Sequence, residues 1–135
     1  MTELETDEFI GWMSGKVFMV VEDATSSRLL EAALLRSMGA QKVLAAVDGN
    51  DALAKLTQAD PVPDILICDW MMPGLDGIGL LTEAKKRYPA IRVVMLTAKG
   101  EMDDVKLART MGADGYVAKP FTREGLVSAL KRLMT

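Results

Sequence analysis

Val17-Phe18-Met19-Val20-Val21-Glu22-Asp23 runs five apolar residues together and closes them with two acids. Ile65-Leu66-Ile67-Cys68-Asp69 repeats the form, and weaker versions stand at Val43 to Val47, at Ile91 to Leu96 before Thr97, and at Tyr116 to Ala118 before Lys119. Unbroken apolarity, as opposed to strict alternation, marks strands covered on both faces, which is the signature of a parallel sheet between two helical layers. Between the runs, apolar residues recur at helical spacing: Leu30, Leu34 and Met38; Ala52, Leu56 and Ala59; Gly77, Leu81, Ala84 and Tyr88; Met102, Val105 and Ala108; Leu126, Leu130 and Leu133. Run starts near residues 17, 43, 65, 91 and 115 leave room for one crossover helix each. Five strands and five helices in three layers are therefore expected.

Boundary chemistry agrees. Thr25 and Thr122 are placed to cap the helices that follow them, Gly39 and Gly112 fall where helices should stop, and Pro89 ends the third of the five. Pro61 and Pro63 break the helix before the third strand. Asp76 and Gly77 read as turn and helix-start residues, and Cys68 as a small core residue. Residues 16–135 form one uninterrupted unit. Residues 1–15 carry Glu3, Glu5, Asp7 and Glu8 and no base, and read as an acidic extension. A frayed tail is favoured there over a short helix around Phe9 to Met13, although Phe9, Ile10 and Trp12 are costly to leave in water.

Composition narrows the chemistry. With 135 residues, 50% of them apolar and 26% charged, the chain has the makings of one folded domain. Its apolar runs of five residues fall far short of the roughly 20 that span a bilayer. The acidic amino terminus has the wrong charge for a targeting segment, so a cytoplasmic location is expected. A single cysteine excludes an internal disulfide and Cys-rich zinc sites, and the absence of histidine excludes Ser-His and Cys-His pairs and histidine-bound metals. Net charge is −3, four acids of which lie in the first fifteen residues, so no basic stripe awaits a nucleic acid.

The polar residues fall at strand ends: Glu22 and Asp23, Asp69, Thr97, Lys119. In an open parallel sheet those ends share one rim, where residues distant in sequence converge. Three carboxylates held together call for a cation, and a donor set made only of oxygen suits Mg2+ or Mn2+. With Lys119 and a divalent ion the formal charges cancel, leaving a site able to take an anion. A hydroxyl, an ammonium and a metal around one carboxylate suit a phosphoryl group, and Asp69 is itself a possible nucleophile.

These residues carry a resemblance. The acidic pair Glu22-Asp23, the stretch Asp69-Trp70-Met71-Met72-Pro73-Gly74-Leu75-Asp76-Gly77, then Thr97-Ala98, and finally Gly112 through Phe121 with Lys119-Pro120, all in order, resemble the response-regulator receiver domain of two-component signalling. The resemblance covers essentially residues 16–135 and implies a flavodoxin-like fold with a parallel sheet in the order 2-1-3-4-5, an order the chemotaxis receivers are known for. It implies Asp69 as phosphoacceptor, Mg2+ held by Asp23, Asp69 and the backbone carbonyl of Met71 with Glu22 beside them, Lys119 on the phosphoryl oxygens, and Thr97 with Tyr116 as a switch pair. It also implies a cis bond between Lys119 and Pro120. The implied donor is a sensor histidine kinase or histidine phosphotransfer protein. With only Met134 and Thr135 after the last helix, a stand-alone receiver signalling through a downstream protein is expected.

Two departures bear on rates. Glu22 stands where the family often has aspartate, and Met71, two residues past Asp69, cannot orient a hydrolytic water, whereas Lys99 is long enough to approach the phosphoryl group. Slow self-dephosphorylation is expected. Met71, Met72 and Met102 near the rim suggest an adaptable docking surface, while Lys106, Arg109 and Lys131 read as solvated helix faces. The rival reading is a Mg2+-dependent phosphohydrolase with an aspartyl nucleophile; such enzymes place a second aspartate where this chain has Met71. A flavin carrier of the same topology needs a phosphate loop after the first strand, where Glu22-Asp23 stands instead.

Overall fold

A computed structural model describes residues 3–72, 74–98, 102–119 and 122–134. The elements are α1 (Asp7–Ser14), β1 (Val17–Val21), α2 (Thr25–Ser37), β2 (Lys42–Ala46), α3 (Gly49–Gln58), β3 (Ile65–Asp69), α4 (Gly77–Arg87), β4 (Arg92–Ala98), α5 (Met102–Thr110), β5 (Gly115–Lys119) and α6 (Arg123–Arg132). The strands form one parallel sheet in the order β2-β1-β3-β4-β5. This is the expected architecture, with one helix more than expected.

Continuous apolarity has the predicted cause. Phe18 and Val20, Ile65 and Ile67, and Val94 and Leu96 face one core with α1, α2 and α6. Their strand neighbours Met19 and Val21, Leu66 and Cys68, and Val93 and Met95 face a second core with α3, α4 and α5. Period-two alternation is intact; both sides of the sheet are simply dry. Cys68 is fully buried, and that burial pushes its thiol pKa up.

The amino-terminal segment corrects the favoured reading. Residues Asp7 to Ser14 form a helix whose N-cap, Thr6, accepts a hydrogen bond from the Phe9 amide at 3.2 Å. Phe9 and Met13, four residues apart, are both fully buried in the core with Leu35, Met38, Leu130 and Leu133. Burying two side chains of that size stabilises by roughly 1.5–3 kcal/mol each, enough to order a short helix that would fray alone. Asp7 and Glu8, which read as signs of a solvated tail, sit in the first turn where the helix dipole favours acids.

Two further expectations fail on α2. Its N-cap is Ala24, with no side-chain bond, and Thr25 is already helical. The buried stripe is Glu31, Ala32, Leu35 and Met38, while Leu30 is 55% exposed. The helix is rotated because the stripe is centred one residue later than the spacing of the leucines suggests. Elsewhere the boundaries hold: Thr122 caps α6 by accepting from the Gly125 amide at 3.0 Å, and Asp76 caps α4 by accepting from Gly79 at 2.9 Å. Gly39 and Gly112 end their helices at φ of +102° and +104°, a conformation that favours glycine. Among the described residues no helix is long and apolar enough to cross a membrane.

Candidate functional site

The carboxyl ends of β1, β3 and β5 set the site. Glu22 continues the β1–β2 ladder through its amide to the Ala46 carbonyl at 3.1 Å, and Trp70 continues β3–β4 through its amide to Leu96 at 3.0 Å. The backbone is therefore rigid up to the functional residues. One carboxylate oxygen each from Glu22, Asp23 and Asp69 lies within 4.8 Å of the others. Glu22 and Asp69 are buried and Asp23 is exposed, so the cluster opens to solvent on one side. Helix α4 packs so closely under Asp69 that a Cβ on Gly77 would stand 2.6 Å from the Asp69 carbonyl oxygen, which explains the glycine there.

Lys119 bridges the acids. Its Nζ donates to Glu22 Oε2 at 3.0 Å and lies 3.0 Å from Asp69 Oδ1. Burial lifts the Glu22 pKa, the hydrogen bond from Lys119 opposes that rise, and the Asp69 charge reinforces it. Burial would lower Lys119, but its hydrogen bonds to Asp69 and Glu22 outweigh it and the pKa rises. Glu22 is raised first by its burial and then by the Asp69 charge, whereas Lys119 is raised by the two carboxylates it bonds. Three acids against Lys119 leave a formal −2, which matches a divalent cation, and the donor set is all oxygen.

Thr97 is buried at the same edge, one residue beyond Leu96, the register partner of Asp69. Tyr116 sits on the edge strand β5, half-buried, its hydroxyl accepting a hydrogen bond from Arg109 and its ring centroid 5.5 Å from that guanidinium. Met71 is 75% exposed beside the cluster and Met72 is buried. Glu22, Asp23, Asp69 and Lys119 are thus brought together, with Thr97 adjoining; Tyr116 stands apart, engaged with α5. Arg109, read as merely solvated, has a definite partner. Lys99, the Met102 side chain and the Lys119–Pro120 bond lie outside the described residues.

Glu31 was missed. On α2 it is 1% exposed, neither carboxyl oxygen receives a hydrogen bond, and the charge that acts on it most strongly is that of Glu22. Burial, then the Glu22 charge, push its pKa up to about 8, so it is largely neutral at pH 7. A signal was available: Glu31 lies four residues before Leu35 and seven before Met38, on the face that is buried.

Residues 18–131 match the response regulator receiver domain family. Protein PilG of Pseudomonas aeruginosa is 38% identical over 119 residues, covering 87% of this chain and 86% of PilG. The phosphate regulon transcriptional regulatory protein PhoB of Escherichia coli is 38% identical over 118 residues, 86% of this chain but 50% of PhoB, so the chain spans about half the length of that relative. Among solved structures, Vibrio cholerae chemotaxis protein CheY4 superimposes with a TM-score of 0.79 at 29% identity, covering 87% of this chain and 97% of CheY4. A response regulator receiver domain protein from Clostridium thermocellum gives 0.78 at 31% identity, covering 89% and 99%.

Proposed function

The chain belongs to the response regulator receiver domain family, and from that premise we propose that Asp69 accepts a phosphoryl group from a sensor histidine kinase or histidine phosphotransfer protein. The observation that carries the reading is Lys119 Nζ at 3.0 Å from both Glu22 and Asp69, inside a cluster of three carboxylates. Mg2+ would be held by Glu22, Asp23, Asp69 and the Met71 carbonyl, with Mn2+ as a substitute, and would supply positive charge that offsets the carboxylates and the incoming phosphoryl group. Residues 16–135 are the signalling module of a cytoplasmic response regulator, and residues 1–15 an acidic extension.

An Asp69 oxygen attacks phosphorus, the P–N bond to the donor imidazole breaks, and the nitrogen leaves with the electron pair. Lys119, already bonded to Glu22 and Asp69, donates its remaining N–H to a phosphoryl oxygen. Thr97 donates its hydroxyl to another, and Tyr116 turns inward into the space vacated, reshaping the surface of α5, β5 and α6 toward a downstream protein. Two charge-assisted contacts of about 1.5–3 kcal/mol each approach the roughly 5.5 kcal/mol that reverses a 1:99 population. Catalysis stops at self-phosphorylation and slow self-dephosphorylation: Met71 offers no group to orient water.

The test is acetyl phosphate or beryllofluoride with Mg2+, read by Trp70 fluorescence and intact mass. One phosphoryl adduct on Asp69, and a fluorescence change that disappears in Asp69→Asn, are expected. Adducts elsewhere, or many turnovers of a phosphate ester per protein, would replace this reading with the phosphohydrolase.

A further inference from the structure

Helix α2 opens without a cap: Ala24 stands at the N-cap position with no side-chain bond, and the first turn holds no acid to meet the helix dipole. The turn from β1 into α2, which carries Glu22 and Asp23, therefore lacks the common means of fixing a helix entry. Arg28, at the end of that first turn, is a cation where the dipole favours an anion, so helix electrostatics do not account for it. Its guanidinium folds back over the turn. Nη1 donates to the Glu22 carbonyl at 3.0 Å and reaches the Asp23 carbonyl at 3.5 Å, and Nη2 donates to Thr25 Oγ1 at 3.4 Å. Neither carbonyl accepts a backbone amide among the described residues. One planar donor group thus ties Glu22, Asp23 and Thr25 together.

We infer that Arg28 is a positioning residue for the acidic pair: it clamps the turn between β1 and α2 and so sets where the Glu22 and Asp23 carboxylates are presented. Glu22 is held at three points, its carbonyl on Arg28, one carboxylate oxygen on the Ala24 amide at 3.3 Å and the other on Lys119 at 3.0 Å. Asp23 is exposed and its side chain makes no hydrogen bond among the described residues, so its backbone alone keeps its carboxylate within 4.8 Å of the other two. A rigid fork of N–H donors can hold two carbonyls and a hydroxyl at once, which a single ammonium cannot. The charge of Arg28 opposes a cation at these carboxylates, so its use there has to come from geometry. That the pair binds Mg2+ rests on the proposed function; the clamp on the turn does not.

The experiment uses the full chain, without metal and then with Mg2+. In metal-free buffer, hydrogen exchange of the Ala24 amide reads the turn, and the Met19 and Val20 amides of β1 report global opening. Arg28→Ala should speed Ala24 exchange about fivefold, the equivalent of one net hydrogen bond, and leave Met19 and Val20 unchanged. With Mg2+ added and Trp70 fluorescence followed, the same variant should bind the ion about fivefold more weakly. The direction separates geometry from charge, because removing a positive charge beside three carboxylates by itself strengthens cation binding. Arg28→Lys keeps the charge without the fork and should recover only a minor part of either loss. Arg36→Ala removes the same charge in the last turn of α2 and should behave as wild type. Unchanged Ala24 exchange in Arg28→Ala overturns the inference, as does equal acceleration at Met19 and Val20, which would mean general destabilisation. Mg2+ binding in Arg28→Ala as tight as wild type or tighter also overturns it, and so does Arg28→Lys matching wild type in both readouts. If wild-type Trp70 fluorescence does not respond to Mg2+, the metal reading fails on its own and Ala24 exchange still decides the clamp.

Discussion

Glu5 and Glu31 are both buried glutamates, and the chain treats them in opposite ways. Glu5, just before α1, meets Arg123 of α6 through two bonds of 2.6 and 3.0 Å, and Arg123 in turn donates to Ser37 of α2 at 2.7 Å. One charge is matched by one charge, in the fork geometry that suits a carboxylate. The rim beside Glu31 is unbalanced among the described residues: Glu22 and Asp69 share Lys119, Arg28 reaches Glu22 and Asp23 only at their carbonyls, and neither Glu31 carboxyl oxygen has a hydrogen-bond partner. A balanced buried pair fastens an element in place. An unbalanced cluster costs stability, and is tolerated where the deficit is met by a cation and a transferred group.

The comparison is sharpest at Asp69. Asp69→Asn should reduce phosphoryl incorporation to background while leaving the fold intact, measured by intact mass and circular dichroism; retained incorporation at full level would remove the rim's special status. Next comes the fastening side. Arg123→Ala removes the two-bond fork from the Glu5 carboxylate and should destabilise by about 2 kcal/mol, lowering Tm by about 5–10 °C. A loss below about 1 kcal/mol by urea unfolding would show that Glu5 reaches water and that α1 is held by Phe9 and Met13 alone.

Glu31 should behave with the reverse sign. Its carboxyl holds a proton up to about pH 8 in the folded chain but only to the ordinary 4.5 when unfolded. Across that window the folded state binds the extra proton, so stability falls as pH rises and levels off above about 8. Glu31→Gln should flatten most of the decline, Glu22 accounting for the remainder, and be more stable than wild type at pH 8 by on the order of 3 kcal/mol in metal-free buffer. Urea unfolding between pH 5 and 8 reads this directly, and parallel curves for the two proteins would refute it. The smallest effect concerns phosphoryl lifetime. Met71→Asn or Lys99→Glu should speed decay by up to about tenfold, since roughly 1.4 kcal/mol is what one oriented water is asked to supply; phosphate release after donor removal measures it.

Much of this was legible before any coordinates. Strands β1 and β3 announced themselves because both faces of a central parallel strand are buried, and the acids at their ends stood out as the first polar residues after each run. α1 was not legible because four acids in fifteen residues dominate its composition, while the burial of Phe9 and Met13 depends on a surface made by residues near 35 and 130. The rotation of α2 escaped for a similar reason: leucines at 29, 30, 34 and 35 permit several stripes, and only packing selects the one that buries Glu31. Arg109 could be placed on α5 but not paired, since its partner is seven residues on and in a different element.

What one-dimensional information determined here was periodicity and chemistry: the order of strands and helices, the residues at strand ends, and the absence of histidine. Those follow from local patterning, which each segment carries with it. Tertiary structure alone decided which charges were matched, because the protonation of Glu31, the bond from Arg109 to Tyr116 and the clasp of Glu5 by Arg123 depend on distances of a few ångströms between segments 7 to 118 residues apart or on burial by them. Coulomb and desolvation energies change steeply over such distances, and sequence spacing does not encode them.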